Sequence, residues 1–281
     1  MEQLFVIKIG GNVIDHADAL HNFLQDFAAI RAPKILVHGG GKIASRIGEQ
    51  MGISANYING RRVTDAATID LVTMVYGGLV NKKVVAKLQS LQCNAIGLTG
   101  ADGNILPATK RPLVYPVIVP NSTNTEEDAA SRPPIDFGFV GDVLAEKMGI
   151  EPLRALLAAG FVPVFAPLTH DGNGQILNTN ADTIASTLAT GLAGNYNVRL
   201  IYCFEKKGVL ENVADESSVI TLITKEKYQQ LLHDNKLFDG ILPKIDNAFS
   251  AIDHGVKEVL IGDASNLLQN VTDQTIGTLI K

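Results

Sequence analysis

Along nearly the whole chain, short apolar runs of strand length take turns with longer stretches whose apolar residues recur at helical spacing. This alternation limits the fold more than any single motif. The apolar runs are residues 5–9, 34–38, 95–98, 161–166, 198–204 and 259–261. Between them, Leu20, Phe23, Leu24 and Phe27 mark one helix face, Ile43, Ile47 and Met51 a second, and Ile184, Ala185, Leu188 and Ala189 a third, the spacing of a buried stripe. A long helix is expected over 66–91, with Ile69, Val72, Tyr76, Leu79, Val80, Val84 and Leu88 on its stripe, and shorter ones from Pro152, over 225–232 and over 243–255. Alternation with connections this short builds a mostly parallel sheet with helices on both faces, to which residues 278–280 add a last strand. Residues 105–108 and 113–119 read as a hairpin, the polar run between Pro120 and Pro134 as an exposed loop, and 137–143 as a return to strand.

Composition narrows the class further. With 281 residues, 46% hydrophobic and 19% charged, the chain can bury a sizeable core without staples. A net charge of −5 argues against a whole-surface affinity for nucleic acid or anionic membrane. Cys93 and Cys203 each sit in an apolar stretch outside any Cys-x-x-Cys pattern and read as reduced core residues. The first residues run straight into a strand, and no eighteen consecutive residues are apolar, so the expectation is a cytoplasmic protein without a signal peptide or membrane span.

Two strand ends carry the chemistry. The first apolar run holds Lys8 near its end and is closed by Gly10 and Gly11. A cation and bare amides delivered to one point suit phosphate oxygens, although a lysine so placed also reads as a solvated side chain snorkelling past its neighbours. The second run ends in His38 and opens into Gly39-Gly40-Gly41-Lys42 at a helix start. Glycines there let backbone amides approach an anion where the helix end is positive, while a tight turn alone would justify one or two of them. Neither familiar phosphate loop fits, because Lys42 is followed by Ile43 rather than Ser or Thr and no G-x-G-x-x-G opens a helix.

Two further places invite a role. Arg61 and Arg62 stand together in an otherwise uncharged loop that ends at a helix cap, Thr64 or Asp65. Either arginine has the fork to grip a carboxylate, the alternative being plain surface charge. Asn180 suits a helix N-cap and Asp182 the first turn, where the dipole favours it, and taken alone neither needs any other role.

Taken together, Lys8-Ile9-Gly10-Gly11, His38-Gly39-Gly40-Gly41, Asn59-Gly60-x-Arg62-Val63-Thr64, Asn178-x-Asn180-Ala181-Asp182, Asp239-Gly240-Ile241-x-Pro243-Lys244 and Gly277-Thr278 resemble the acetylglutamate kinases of the amino-acid-kinase superfamily. The resemblance implies a three-layer αβα sandwich with an open, mainly parallel central sheet. Its N-lobe, about residues 1–170, would hold the acyl-amino acid and the dimer contact, and its C-lobe, about residues 171–281, ATP. Carried over by motif, Lys8 and Lys244 steady charge on the moving phosphoryl group and Asp182 holds both lysines. Gly40 and Gly41 meet substrate, Arg62 and Asn178 bind the α-carboxylate side of the acylglutamate, and Gly10, Gly11, Glu205, Lys207, Gly208, Asp239 and Gly240 line the nucleotide side. The implied co-substrate is ATP with Mg2+ held mainly by its phosphates, with no protein metal site, and the implied reaction is carboxylate phosphorylation in arginine biosynthesis.

Departures from the pattern carry expectations of their own. The family's nucleotide-side loop commonly reads Ser/Thr-Asp-Val-x-Gly, whereas here it is Phe204-Glu205-Lys206-Lys207-Gly208. Arg61 stands where the family often has leucine beside the acyl group. An arginine is costly to bury there without a carboxylate partner, which raises N-succinylglutamate as an alternative substrate unless Arg61 turns to solvent. The first strand begins by Leu4, so the resemblance favours a homodimer built on the helix around Asn81-Lys82 and insensitive to arginine, rather than the arginine-inhibited hexamers with an extra N-terminal helix. A sister aspartate, glutamate 5- or carbamate kinase shares the glycine turns but fits the Asn-Gly-x-Arg-Val-Thr and Asn-x-Asn-Ala-Asp motifs less well. A non-catalytic amino-acid or nucleotide sensor would have no use for Lys8, Asp182 and Lys244 together.

Overall fold

The computed structural model describes residues 1–58, 60–115, 133–212, 214–234, 237 and 241–281. In chain order, the N-terminal half holds β1 (Gln3–Ile9), α1 (Gly11–Asp15), α2 (Ala17–Ala29), β2 (Lys34–His38), α3 (Gly41–Gln50), β3 (Tyr57–Ile58), β4 (Arg61–Arg62) and α4 (Ala66–Val72). A π-helical segment (Thr73–Val80) then runs into α5 (Asn81–Ser90), followed by β5 (Ala95–Leu98), β6 (Ala108–Lys110), β7 (Gly141–Val143), α6 (Ile150–Ala158) and β8 (Val162–Phe165). The remainder is β9 (Leu168–His170), β10 (Ile176–Asn178), α7 (Ala181–Leu192), β11 (Asn197–Phe204), β12 (Leu222–Ile223), α8 (Lys225–His233), α9 (Leu242–Asp253), β13 (Glu258–Asp263), α10 (Leu267–Asn270) and β14 (Thr278–Ile280).

Among the described residues, eight strands form one sheet in the order β12-β14-β13-β11-β1-β2-β8-β5. Neighbours are parallel except β13 and β14, which pair antiparallel. The expected α/β architecture, helices on both faces of an open and mainly parallel sheet, is therefore present. β1 lies between β11 and β2, where the winding of the sheet changes direction. In open α/β sheets that switch point leaves a crevice at the carboxyl ends of the strands. Side chains alternate along β1: Leu4 and Val6 join one core with α7 and α9, while Phe5, Ile7 and Ile9 join the other with α2 and the helix from α4 to α5. Period two places Lys8 on the Leu4 and Val6 face, beneath the start of α7.

Leu79 and Met51, expected on buried helix stripes, are exposed, and three further expectations change in detail. The helix over 66–91 is continuous but widens through eight π-helical residues, Thr73–Val80, a geometry that recurs at functional sites. The strand expected over 105–108 falls instead at Ala108–Lys110 and pairs with β7 rather than with 113–119. Leu106 turns inward with no exposed area and Val114 only bridges Ile135. The strand expected over 137–143 shrinks to Gly141–Val143. A hairpin, β9 with β10, closes over a turn in which Gly172 and Gly174 have positive φ. Most of the polar run from Pro120, together with Asn59, Asp239 and Gly240, lies outside the described residues.

Candidate active site

The crevice at the carboxyl ends of β1, β2 and β11 gathers the charged residues. Lys8, opposite Tyr202 of β11 in register, reaches the N-terminus of α7, where its Nζ lies 2.8 Å from Asp182 Oδ1. Asn180 makes that meeting possible. Its side chain caps α7, accepting from the Asp182 and Thr183 amides at 2.7 and 3.3 Å, and so fixes the first turn that carries Asp182. The plain structural role and the site role thus coincide. Lys244, in the first turn of α9, joins from the other side. Its Nζ stands 3.6 Å from the centroid of the Phe204 ring, and Lys8 Nζ 5.2 Å from the same ring. Burial pulls the Lys244 ammonium below the ordinary lysine value against the opposing charge of Asp182; Lys8 adds to the lowering and Glu205 opposes it. Two ammonium groups, one carboxylate and one aromatic face therefore share a single partly dry pocket.

Both glycine turns border this pocket. Gly10 and Gly40 sit at the N-caps of α1 and α3 without a side-chain cap, and the first amides of a helix lack intrahelical acceptors. The turns abut, since a Cβ on Gly39 would lie 3.6 Å from the Gly11 nitrogen. At Gly40, φ is +153° and a Cβ would come within 3.0 Å of the Tyr76 ring, so any side chain there would be strained and crowded. Lys42 ties the turns together, donating to Asn12 Oδ1 at 2.9 Å and standing 3.8 Å from Asp15.

Arg62 is buried, and its Nη2 donates to the Gly41 carbonyl at 3.0 Å, to Ser45 Oγ at 2.8 Å and to the Tyr57 hydroxyl. Tyr57 also stacks on the guanidinium, 4.8 Å from ring centroid to Cζ. Asn178, at the end of β10, donates to Thr64 Oγ1 at 3.0 Å, and Thr64 Oγ1 in turn donates to the Arg62 carbonyl at 3.2 Å. The two residues expected to meet the α-carboxylate are thus one hydroxyl apart. Arg61 behaves differently: it lies exposed on β4, and no carboxylate among the described residues pairs with it. The arginine pair divides into one buried fork and one solvated charge.

In the loop expected to face the nucleotide, Glu205, Lys206 and Lys207 are exposed, and Lys206 pairs with Glu216 at 2.7 Å. Gly208 is buried, and a Cβ there would meet Thr278 Oγ1 at 2.6 Å, so this glycine packs the loop onto β14. Among the described residues, no group of three or more His, Cys, Asp or Glu side chains is arranged to hold a metal ion. The Asp182 carboxylate is already in contact with Lys8. No described helix is long and apolar enough to cross a membrane.

The family model described as "Amino acid kinase family" matches residues 3–263. The chain belongs to the amino acid kinase family. It is 50% identical over 279 residues to an acetylglutamate kinase of Cytophaga hutchinsonii, covering 99% of this chain and 98% of that one. It is 48% identical over 280 residues to an acetylglutamate kinase of Phocaeicola vulgatus, covering 100% and 99%. Among solved structures, an N-acetylglutamate synthase of Neisseria gonorrhoeae shares the fold, with a TM-score of 0.75 at 21% identity over 99% of this chain and 59% of that one.

Within this amino acid kinase site, several side chains escape a reading of motifs. Phe204 is visible in the sequence only as a departure from the family loop, yet it lies against both lysines. Tyr57 and Ser45 hold Arg62 from positions outside the motifs. Tyr76 appears in the sequence as one more stripe residue, but the widened helix sets it against Gly40.

Proposed function

We propose that this chain transfers the γ-phosphoryl group of ATP to the side-chain carboxylate of N-acetyl-L-glutamate, giving the acyl phosphate and ADP, the second step of arginine biosynthesis. The observation that carries this reading is the meeting of Lys8, Lys244 and Asp182 at the switch point of the sheet, beside two glycine turns. The identity to acetylglutamate kinases over nearly the full chain supplies the acceptor. The nucleophile is a carboxylate with a pKa of about 4.3, ionised at neutral pH, so no general base is needed. The protein's task is to bring two anions together and to stabilise charge on the moving group. Arg62 and Asn178 orient the α-carboxylate end, and the Gly40 and Gly41 amides meet the reacting end. Gly10, Gly11 and the 205–208 loop face the nucleotide. Lys8 and Lys244 neutralise the phosphoryl oxygens, and Asp182 keeps both ammonium groups aimed. Mg2+ bound to the nucleotide phosphates would supply further charge neutralisation there.

On this reading the N-lobe, about residues 1–170, binds the acylglutamate and the C-lobe, about residues 171–281, the nucleotide. The protein works in the cytoplasm as a homodimer. The relatives favour acetyl over succinyl, and an exposed Arg61 removes the argument that first raised succinylglutamate. The decisive assay couples ADP release to NADH oxidation with N-acetyl- and N-succinylglutamate side by side, and traps the acyl phosphate with hydroxylamine. Acetyl-dependent ADP release with a hydroxamate product is expected. No acylglutamate-dependent release would overturn the kinase reading, and a succinyl preference would overturn the acetyl assignment. Light scattering at assay concentration tests the dimer.

A further inference from the structure

His38 and Asn81 take no part in the chemistry above, yet they form a buried polar pair next to it. His38 has no exposed area and Asn81 is 1% exposed. Asn81 Nδ2 lies 2.9 Å from the Val164 carbonyl and 3.1 Å from His38 Nε2. A carbonyl only accepts, so the amide nitrogen must face Val164, and its second hydrogen is then the one offered to the imidazole. Nε2 is therefore an acceptor, and the ring proton resides on Nδ1. There it is donated to the Gly39 carbonyl at 2.7 Å. Burial holds the His38 pKa down to about 4, the Gly39 carbonyl opposing, which keeps the ring neutral. The backbone at position 97 locks the amide from behind, because a Cβ on Gly97 would fall 1.9 Å from Asn81 Oδ1.

A trans peptide points its carbonyl and the following N–H in opposite directions. We propose that the Asn81–His38 pair is a positioning device for catalysis: by holding the Gly39 carbonyl, it turns the Gly40 N–H away from the core and into the crevice, where it meets the reacting carboxylate. This rests on the proposed role of Gly40 as a substrate contact. It assigns Asn81 a duty inside its own chain, at the point where α5 begins, rather than on an outer face of that helix. His38 and Asn81 touch no substrate and act through the Gly39–Gly40 peptide.

The variant N81D tests this, because a carboxylate at that position draws a proton onto Nε2. At alkaline pH the neutral ring then presents a bare Nδ1 to the Gly39 carbonyl, and the peptide loses its anchor. At acid pH the ring binds a second proton, and the Nδ1 donor returns. The expected result is a kcat about tenfold or more below wild type near pH 8.5, recovering toward about pH 6, with KM for ATP within about twofold throughout. Wild type should show no such recovery. Independently of turnover, 15N NMR of the wild-type enzyme should show His38 as the Nδ1–H tautomer, with no titration between about pH 6 and 8. An Nε2–H tautomer or a titrating ring in wild type would overturn the proposal. So would a folded N81D enzyme that keeps its turnover or loses it equally at every pH. Failure of the kinase reading would instead show as wild-type enzyme without acetylglutamate-dependent ADP release.

Discussion

Lys8 and Lys244 illustrate how little a side chain's meaning depends on its own neighbours in sequence. Lys8 alone reads as a snorkelling cation, and only the face parity of β1 and the capped start of α7 turn it into half of an ion pair at 2.8 Å. Replacing either lysine by methionine, K8M or K244M, should lower kcat about a hundredfold or more, the scale of losing an oxyanion donor, with the fold intact by circular dichroism. Near-normal turnover in steady-state kinetics would remove that lysine from the mechanism. Phe204 makes a subtler prediction. Cation–π attraction is worth about 0.5–2 kcal/mol, so F204L should lower kcat by about two- to thirtyfold while F204Y stays near wild type. Equal kinetics for the two variants would show that the ring fills space without holding charge.

At the scale of elements, helix starts do most of the positioning. α1 and α3 begin in glycine with no side-chain cap, whereas α7 begins in Asn180 and uses its first turn to hold Asp182. N180A should cost about 1 kcal/mol in urea unfolding, and it should also lower kcat, since the turn that aims Asp182 loses its cap. Loss of stability without loss of turnover would separate the two roles. The long helix from Ala66 shows where pattern reading stops. Its apolar stripe was largely legible, but π-helical hydrogen bonding over Thr73–Val80 turns the helix face relative to an α-helix, and Leu79, expected on the stripe, is exposed. Its effect appears also in where Tyr76 and Asn81 end up. The β6–β7 pairing was illegible for another reason: its partners are separated by about thirty residues, and a three-residue strand carries too few side chains to set a register from one side.

For the whole molecule, the buried polar network has a price in pH. His38 titrates near 4 in the folded protein against an ordinary value of 6.5. Between those values the unfolded chain binds a proton that the folded chain refuses. Its contribution to stability is therefore complete above about pH 6.5 and falls away as pH drops toward 4, by on the order of 3 kcal/mol. Urea unfolding of wild type and H38Q from about pH 7 to pH 4.5 should show the steeper acid loss in wild type. Parallel curves would mean that the ring is hydrated or charged in the native state.

The sequence by itself determined the layers and the reagents. Alternating periodicities two and 3.6 settle most of which residues face the core, Met51 and Leu79 being exposed exceptions, because burial of apolar surface acts on each such residue largely independently of its distant partners, and glycines next to strand ends mark where backbone is left open at the crevice. What only the tertiary structure decided is who stands beside whom. Arg61 and Arg62 are neighbours in sequence and the same chemically, yet strand alternation and a cluster of Tyr57, Ser45 and the Gly41 carbonyl bury one and leave the other in solvent. The Phe204 platform and the Asn81–His38 lock likewise depend on contacts between residues far apart in the chain. Local pattern records how each residue meets water, whereas charge and hydrogen-bond partnership depend on the three-dimensional distances that packing sets.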